Sequence, residues 1–583
     1  MKYPTLPEQN TTRQVIDVFR GYNHNLRISD GEFYDMQNMT SDYYPLLSPR
    51  KKRGTFAAPT ALTGMIAKDK LCYVSGADFV KAETQDGKLV EQRVAMELNA
   101  EKKSLISMGA YVIIMPDKKW INTNDLTHGD IEASITTSTT VSFELCRIDG
   151  DAYSITYKQA TEPSNPTDGA YWIDTSSVPN SLKQYSATSG MWVAIASTYI
   201  KISAVNIGKD FNVYDGVDIS GIEDSRLSDL NGSVIIYDRD DNYIVVQGIL
   251  DQAISQETAI TVSRTMPIMD FIIESGNRLW GCRYGTDKKG NTVNEIYASK
   301  LGDFKNWNCF LGISTDSYSA SLGTNGEFTG AITHMGYPIF FKEGCMHKVY
   351  GDYPPYRIQE TPCRGVQKGS EKSLAIVNEV LYYKSRHGIC AYDGSLPNEI
   401  SSALGENDYF NAIAGSYGNK YYISMADNNE KYHLFVYDAL KGMWHREDNT
   451  QVMDFCSFKN EMYYIDNSYG QIKTIFGSGK EEGNNIEWNV ETGVIGFDSP
   501  DKKYISHISV RLSMEFGSRV YFFIQYDSSG TWEHISTMGG KNLRTLNVPI
   551  RPHRCDHFRL RISGYGYSKI YSITKSMEVG SDV

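Results

Sequence analysis

Three groups of residues in this chain have types and spacing suited to chemistry. His553, Cys555 and His557 alternate along one short run, so a β-strand would turn all three to one face, the start of a tetrahedral zinc set. No fourth ligand stands near them, and the same three side chains serve a packed interface as well as a metal. The run Tyr526–Trp532 comes near the Ser-x-Asp-x-Gly-x-Thr-Trp turn of sialidases. Asp527 stands one residue too far from Gly530, however, and the turn occurs once, so an ordinary hairpin turn is the reading. Asp238, Asp240 and Asp241 supply oxygens of the kind calcium takes, but the Gly and Glu that complete a calcium loop do not follow them, which leaves a solvated turn.

The linear motifs of phosphate-binding loops, dinucleotide folds, serine-hydrolase elbows and zinc peptidases do not occur. From the sequence, therefore, no enzymatic activity and no cofactor are expected. Two binding features are left. Trp172, Tyr185 and Trp192 lie in a turn-rich stretch that reads as a small hairpin, and they are candidates for stacking on a sugar or a partner as well as for a hydrophobic mini-core. Arg50, Lys51, Lys52 and Arg53 form a basic quartet, a candidate for inter-subunit contact, or for DNA contact if the chain lines a channel; its bland reading is a solvated loop.

The elements that must position these residues are strands. Forty Tyr against 8 Trp, within a 12% aromatic content, suit pleated half-buried surfaces. A formal net charge of -12 argues against a surface adapted as a whole to phosphate backbones, which needs clustered cations. The nine Cys show no C-x-x-C pair and sit mostly in apolar runs, so they read as small buried hydrophobes and not as a disulfide framework. No cationic leader followed by an apolar run opens the chain, and no stretch approaches the roughly 20 apolar residues of a membrane span. The expectation is a protein made in the cytoplasm and carried out, if at all, by lysis or within an assembly.

A weak repeat organises the chain. Seven apolar openings begin near Leu62, Leu105, Phe271, Ile332, Leu374, Ala412 and Phe455, the last four at intervals of 42, 38 and 43 residues. That period matches a four-stranded propeller blade, a small sheet that is stable only when neighbours stack on it. The long gap after the second opening predicts an insertion over 125–262 within the second blade. The expected architecture is all-β: an N-terminal arm and ring-closing strand over 1–55, a β-propeller of about seven blades over 56–476, the inserted small β domain, and a β-sandwich over 484–583. Alternating apolar residues in Ile505–Leu512, Val520–Tyr526 and Phe558–Ile562 carry the sandwich, and the Gly-rich run 477–485 reads as the linker before it.

Three stretches resemble bacteriophage virion proteins. Asn294–Trp307, with Tyr297, Ser299, Gly302, Asp303 and Trp307, is similar to the blade segment of phage propeller proteins that form tail nozzles or tail-stabilising rings. Asp168–Thr175 is similar to a short module of phage tail and fibre proteins, and Arg551–Gly564 with the ending Glu578–Val583 resembles the end of phage stabilisation proteins. The resemblance implies a structural protein of the virion, forming a homo-oligomeric ring or hub in the tail or head-to-tail region beside other tail or connector proteins. The alternative is a host-surface carbohydrate binder or depolymerase of the tail.

Overall fold

In the computed structural model, which describes residues 11–287, 289–477, 480–481, 485–496, 502–539, 544–550 and 553–579, the chain is all-β: a β-propeller carrying an inserted β domain and followed by a β-sandwich. The expected linker 477–485 falls largely outside the described residues, as do Arg551, Pro552 and the final four. Each of the seven openings falls in, or one residue before, the first strand of a four-stranded meander: Leu62–Ala67, Ser104–Met108, Phe271–Ser275, Gly330–His334, Ala375–Val377, Tyr409–Tyr417 and Val452–Phe458. Second strands such as Leu71–Ser75 and Val380–Ser385 are buried almost throughout, because both faces are covered. The fourth strand Lys88–Ala95 is mostly exposed and correspondingly polar.

Contacts group residues 1–105, 340–346 and 360–583 into one unit and 106–339 with 347–359 into another. In the first unit, the meander that begins at Val452 has only three strands of its own. Its fourth is Gly54–Ala57, with Gly54 opposite Thr474 and Ala57 opposite Ile472, so the two ends of the propeller segment are hydrogen-bonded to each other. The preceding residues are woven in as well. Thr11–Ile16 pairs along Ser568–Val579 of the sandwich, and Gly21–Tyr22 and Glu32–Gln37 join Met443–Arg446 of the sixth meander to Glu487–Thr492. Gly21 is required there: at φ +85°, a Cβ on it would stand 2.3 Å from the Trp444 carbonyl oxygen. Phe19, Tyr22, Phe33, Met36, Met39 and Leu47 are thereby buried in one core with Trp444, Trp488, Val510 and Phe522.

His445, beside Gly21, is buried, and its Nδ1 has no partner among the described residues. Burial first, then Lys420 and Lys441, push its imidazole down to about 3, against the opposing pull of Asp438 and Asp42. An unfolded His takes up its proton near pH 6.5, so this group's contribution to stability is complete above that value and is lost as pH falls through about 3. The linkage predicts about 3 kcal/mol less stability at pH 4 than at pH 7 from this residue. Urea unfolding at both pH values, with His445→Gln as the comparison, checks it: the variant should lose less stability on acidification than the parent protein.

In the second unit, the expected insertion over 125–262 needs a shift. His128–Asp130 is the fourth strand of the second meander, with His128 opposite Ile121, so the insertion starts at Ala133, ends at Arg264 and follows that meander instead of splitting it. The run after Asn122, where the expected insertion begins, is the tight turn between the third and fourth strands, braced by Asp125 Oδ1 accepting from the Thr127 amide at 2.9 Å. The inserted domain contains an eight-stranded sheet wrapped on its own core, including Phe143, Ile202, Phe211, Val217, Ile244 and Val262. Asn306 braces it: its Oδ1 accepts from the Gly216 amide at 2.8 Å and its Nδ2 donates to Asp215 at 2.9 Å. Phe304 and Trp307 of the same segment are buried in a neighbouring core, which gives the Gly-Asp-x-x-x-Trp pattern a structural role.

Candidate functional site

A cleft of about 1030 Å³ lies in the first unit between the last meander and the sandwich sheet. Three tyrosines flank it: Tyr469 from the turn before Gln471–Thr474, 70% exposed, and Tyr521 and Tyr565 from paired sandwich strands, both half-buried. Its walls carry the amides of Gln37, Asn38, Gln471, Asn485 and Asn489. Gln37 and Asn489 face each other across two strands, with Asn489 Nδ2 donating to Gln37 Oε1 at 3.2 Å, while Asn489 Oδ1 has no partner among the described residues. Lys473 sits 4.6 Å over the Tyr469 ring and also pairs with Asp466 at 3.3 Å. Glu487 is the one carboxylate in the described lining. Stacking rings beside many neutral hydrogen-bonding groups suit a polyhydroxylated ligand, whose C–H faces pack on aromatics and whose hydroxyls bond to amides.

The basic quartet borders this cleft but is divided in its roles. Arg53 is 4% exposed and lies against Glu447 at 2.7 Å, Asp448 at 2.8 Å and Thr450 at 2.8 Å; Arg50 pairs with Asp448 at 3.3 Å. The expectation of subunit or DNA contact is corrected for these two: their charges are spent inside the chain. Lys51 is exposed and Lys52 half-buried, and both line an adjoining cavity of about 610 Å³ with Lys569 and Tyr567.

Trp172, Tyr185 and Trp192 do come together, in the second unit, on the small sheet Ile155–Gln159, Tyr171–Asp174, Ser181–Ser186 and Met191–Ala194. Trp192 is 5.3 Å from both other rings, and Tyr157 joins them at 5.9 Å. Ile173 and Leu182 point the other way, into a separate core with Leu145, so the aromatic face is not this sheet's core face. Trp172 is nearly closed off, its indole donating to the Gln159 carbonyl at 2.9 Å, whereas Tyr185 and Trp192 are half-buried.

His553, Cys555 and His557 do not converge. Cys555 is buried with its thiol toward the Lys503 carbonyl, burial pushes it up to about 11, and the His553 ring lies on Tyr526 at 4.6 Å. Among the described residues no three ligands of this type are placed to share a metal. Among the described residues, no helix is long and apolar enough to cross a membrane.

No protein-family model matches the chain, and no curated protein does. Among solved structures it aligns with an exo-β-1,3-galactanase from Phanerochaete chrysosporium, with galactose, at 11% identity over 52% of this chain and 94% of that one, TM-score 0.20. It aligns with AztD from Citrobacter koseri at 10% identity over 70% and 93%, TM-score 0.27, and with a Trypanosoma rangeli sialidase at 7% identity over 97% and 96%, TM-score 0.22. At such scores the alignments carry no argument about substrate or residues. The expectation of no enzymatic activity does not stand, because the absence of linear motifs cannot support it. Glycoside hydrolases recur among these structures, and hydrolysis by a carboxylate pair leaves no linear motif in a sequence, so the motif search excludes nothing.

Proposed function

We propose that this chain is a bacteriophage tail protein that binds carbohydrate of the host surface, with the cleft between the last propeller meander and the sandwich as its binding site. The observation that carries this reading is the lining itself: Tyr469, Tyr521 and Tyr565 around a set of amides, with the Asn489 Oδ1 acceptor unmet. Three aromatic platforms and neutral donors and acceptors recognise sugar rings better than they recognise an acidic polymer or an apolar peptide. The half-buried Tyr185 and Trp192 form a second aromatic face that could take part. The virion setting, homo-oligomeric and next to other tail or connector proteins, is supported by the resemblance of Asp168–Thr175 and Asn294–Trp307. Met191–Ala194, the edge strand of its sheet, exposes Met191 and Val193 and offers a neighbour a pairing surface.

The test is a glycan array probed with the full chain, followed by titration calorimetry on the best ligand. Tyr469→Ala should weaken binding about tenfold, the scale of one lost aromatic platform, while Trp192→Ala leaves it within about twofold. Loss confined to Trp192→Ala would move the site to the insertion. No binding to any bacterial surface glycan would sink the reading.

A further inference from the structure

Two stretches that look unrelated in sequence, the turn Tyr526–Trp532 and the run His553–His557, meet in the sandwich. Ser528 Oγ lies 2.7 Å from His557 Nε2, and His557 Nδ1 lies 2.8 Å from Asp556 Oδ2. An ionised carboxylate only accepts, so Nδ1 carries the imidazole proton and Nε2 of the neutral ring accepts from the Ser528 hydroxyl. Nucleophile, base and orienting acid stand in the order that activates a serine. The turn is fixed in an uncommon shape, Asp527 and Ser528 both being left-handed at φ +49° and +50°. Asp527 Oδ1 braces it against the second stretch by accepting from the amides of Asp556 at 2.7 Å and His557 at 3.2 Å. Ser528 is exposed, and nothing lies within 4 Å of where a Cβ on Gly530 would stand, so the approach to Oγ is open.

We propose that Ser528 and His557, oriented by Asp556, form a hydrolytic site for short acyl esters, acetyl esters of exposed hydroxyl groups being the substrate class. Ser528 Oγ attacks the ester carbonyl carbon while its proton passes to His557 Nε2. The adduct collapses by breaking the bond to the alcohol oxygen, and the alcohol leaves with that proton. Water then attacks the acyl-Ser528 carbonyl, giving its proton to Nε2, and the acid departs as Oγ takes the proton back. The sum is ester plus water to alcohol plus acid, with no further reactant. The short acyl group follows from the exposure of Ser528: a two-carbon chain needs no apolar pocket. Asp556 is a positioning residue, holding the imidazole tautomer and favouring the imidazolium. The proposal does not depend on sugar binding in the cleft.

The full chain is assayed with p-nitrophenyl acetate and, separately, labelled with a fluorophosphonate and mapped by mass spectrometry. One label at Ser528 is expected. Ser528→Gly, which suits the left-handed backbone while removing Oγ, should abolish labelling and slow ester turnover at least tenfold; His557→Gln should do the same, both with unchanged thermal unfolding. Asp556→Asn should slow turnover and move the rising limb of the pH profile to lower pH, which a merely structural role would not do. Turnover by Ser528→Gly at the parent rate, or a label elsewhere or nowhere, overturns the assignment.

Discussion

Deletion of residues 1–57 is expected to yield aggregated or unfolded chain, not a smaller soluble particle. An N-terminal arm that served only neighbouring subunits could be removed from a folded monomer. Here the segment supplies the outer strand Gly54–Ala57 of the last meander, the edge strand Thr11–Ile16 of the sandwich, and Glu32–Gln37 between propeller and sandwich strands. It also buries Phe19, Tyr22, Phe33, Met36, Met39 and Leu47 in the shared core. Six such side chains at roughly 1.5–3 kcal/mol each amount to roughly 10 kcal/mol or more, comparable with the roughly 5–15 kcal/mol that holds a typical domain folded. Deleting the segment would also open the sheet edges it covers, at Gln471–Thr474 and Ser568–Val579, which invites pairing between chains. Solubility and circular dichroism of the deletion decide the matter. A soluble chain with a parent-like spectrum would mean that the strands contributed by residues 11–57 add little.

What could be seen in the sequence followed the range of the interactions. The blade openings were legible because each is a local restatement of one pattern, apolar strand, tight turn, buried strand, and all seven mark first strands. Tyr185 and Trp192 were legible as neighbours because they are cross-strand partners over one short turn. The cleft was not, since Gln37 lies more than 400 residues before Tyr469, Asn489 and Tyr521, which themselves come from three separate segments, and none of them stands out alone. Ser528 and His557 each lay in a run that had drawn notice for a different chemistry, but the hydrogen bond joining them spans 29 positions and three strands. The expected start of the insertion, at 125, fell too early because the gap between blade openings does not show where the second meander ends, and its fourth strand runs to Asp130. Linear motifs do not speak to enzymatic activity for a related reason: groups that perform hydrolysis on a β scaffold are gathered by the fold.

Arg53→Leu is expected to cost about 3–5 kcal/mol, although Arg50–Arg53 reads as a solvated loop. Four consecutive cations look like surface because nothing nearby in sequence neutralises them. The partners are Glu447, 394 positions away and also buried, and the less closed-off Asp448, which Arg53 meets with separate nitrogens at 2.7 and 2.8 Å while its guanidinium lies over the Tyr464 ring at 5.2 Å. Taking a pair of this kind out of water gains little net stability, but removing one member leaves the others charged and poorly solvated, which is why the loss far exceeds the roughly 0–1 kcal/mol of an exposed pair. Arg50 would remain on Asp448 at 3.3 Å and on Glu447 at only 3.6 Å, too far to replace what Arg53 gives Glu447. Arg53→Lys keeps the charge but offers one nitrogen where two carboxylates are met by two, so it should fall between Arg53→Leu and the parent. Lys51→Ala, at an exposed position of the same run, should change stability by less than about 0.5 kcal/mol. Urea midpoints at unchanged slope for the three variants give the ranking. If Arg53→Leu and Lys51→Ala unfold at the same urea concentration, the buried network is not what ties this run to the sixth meander.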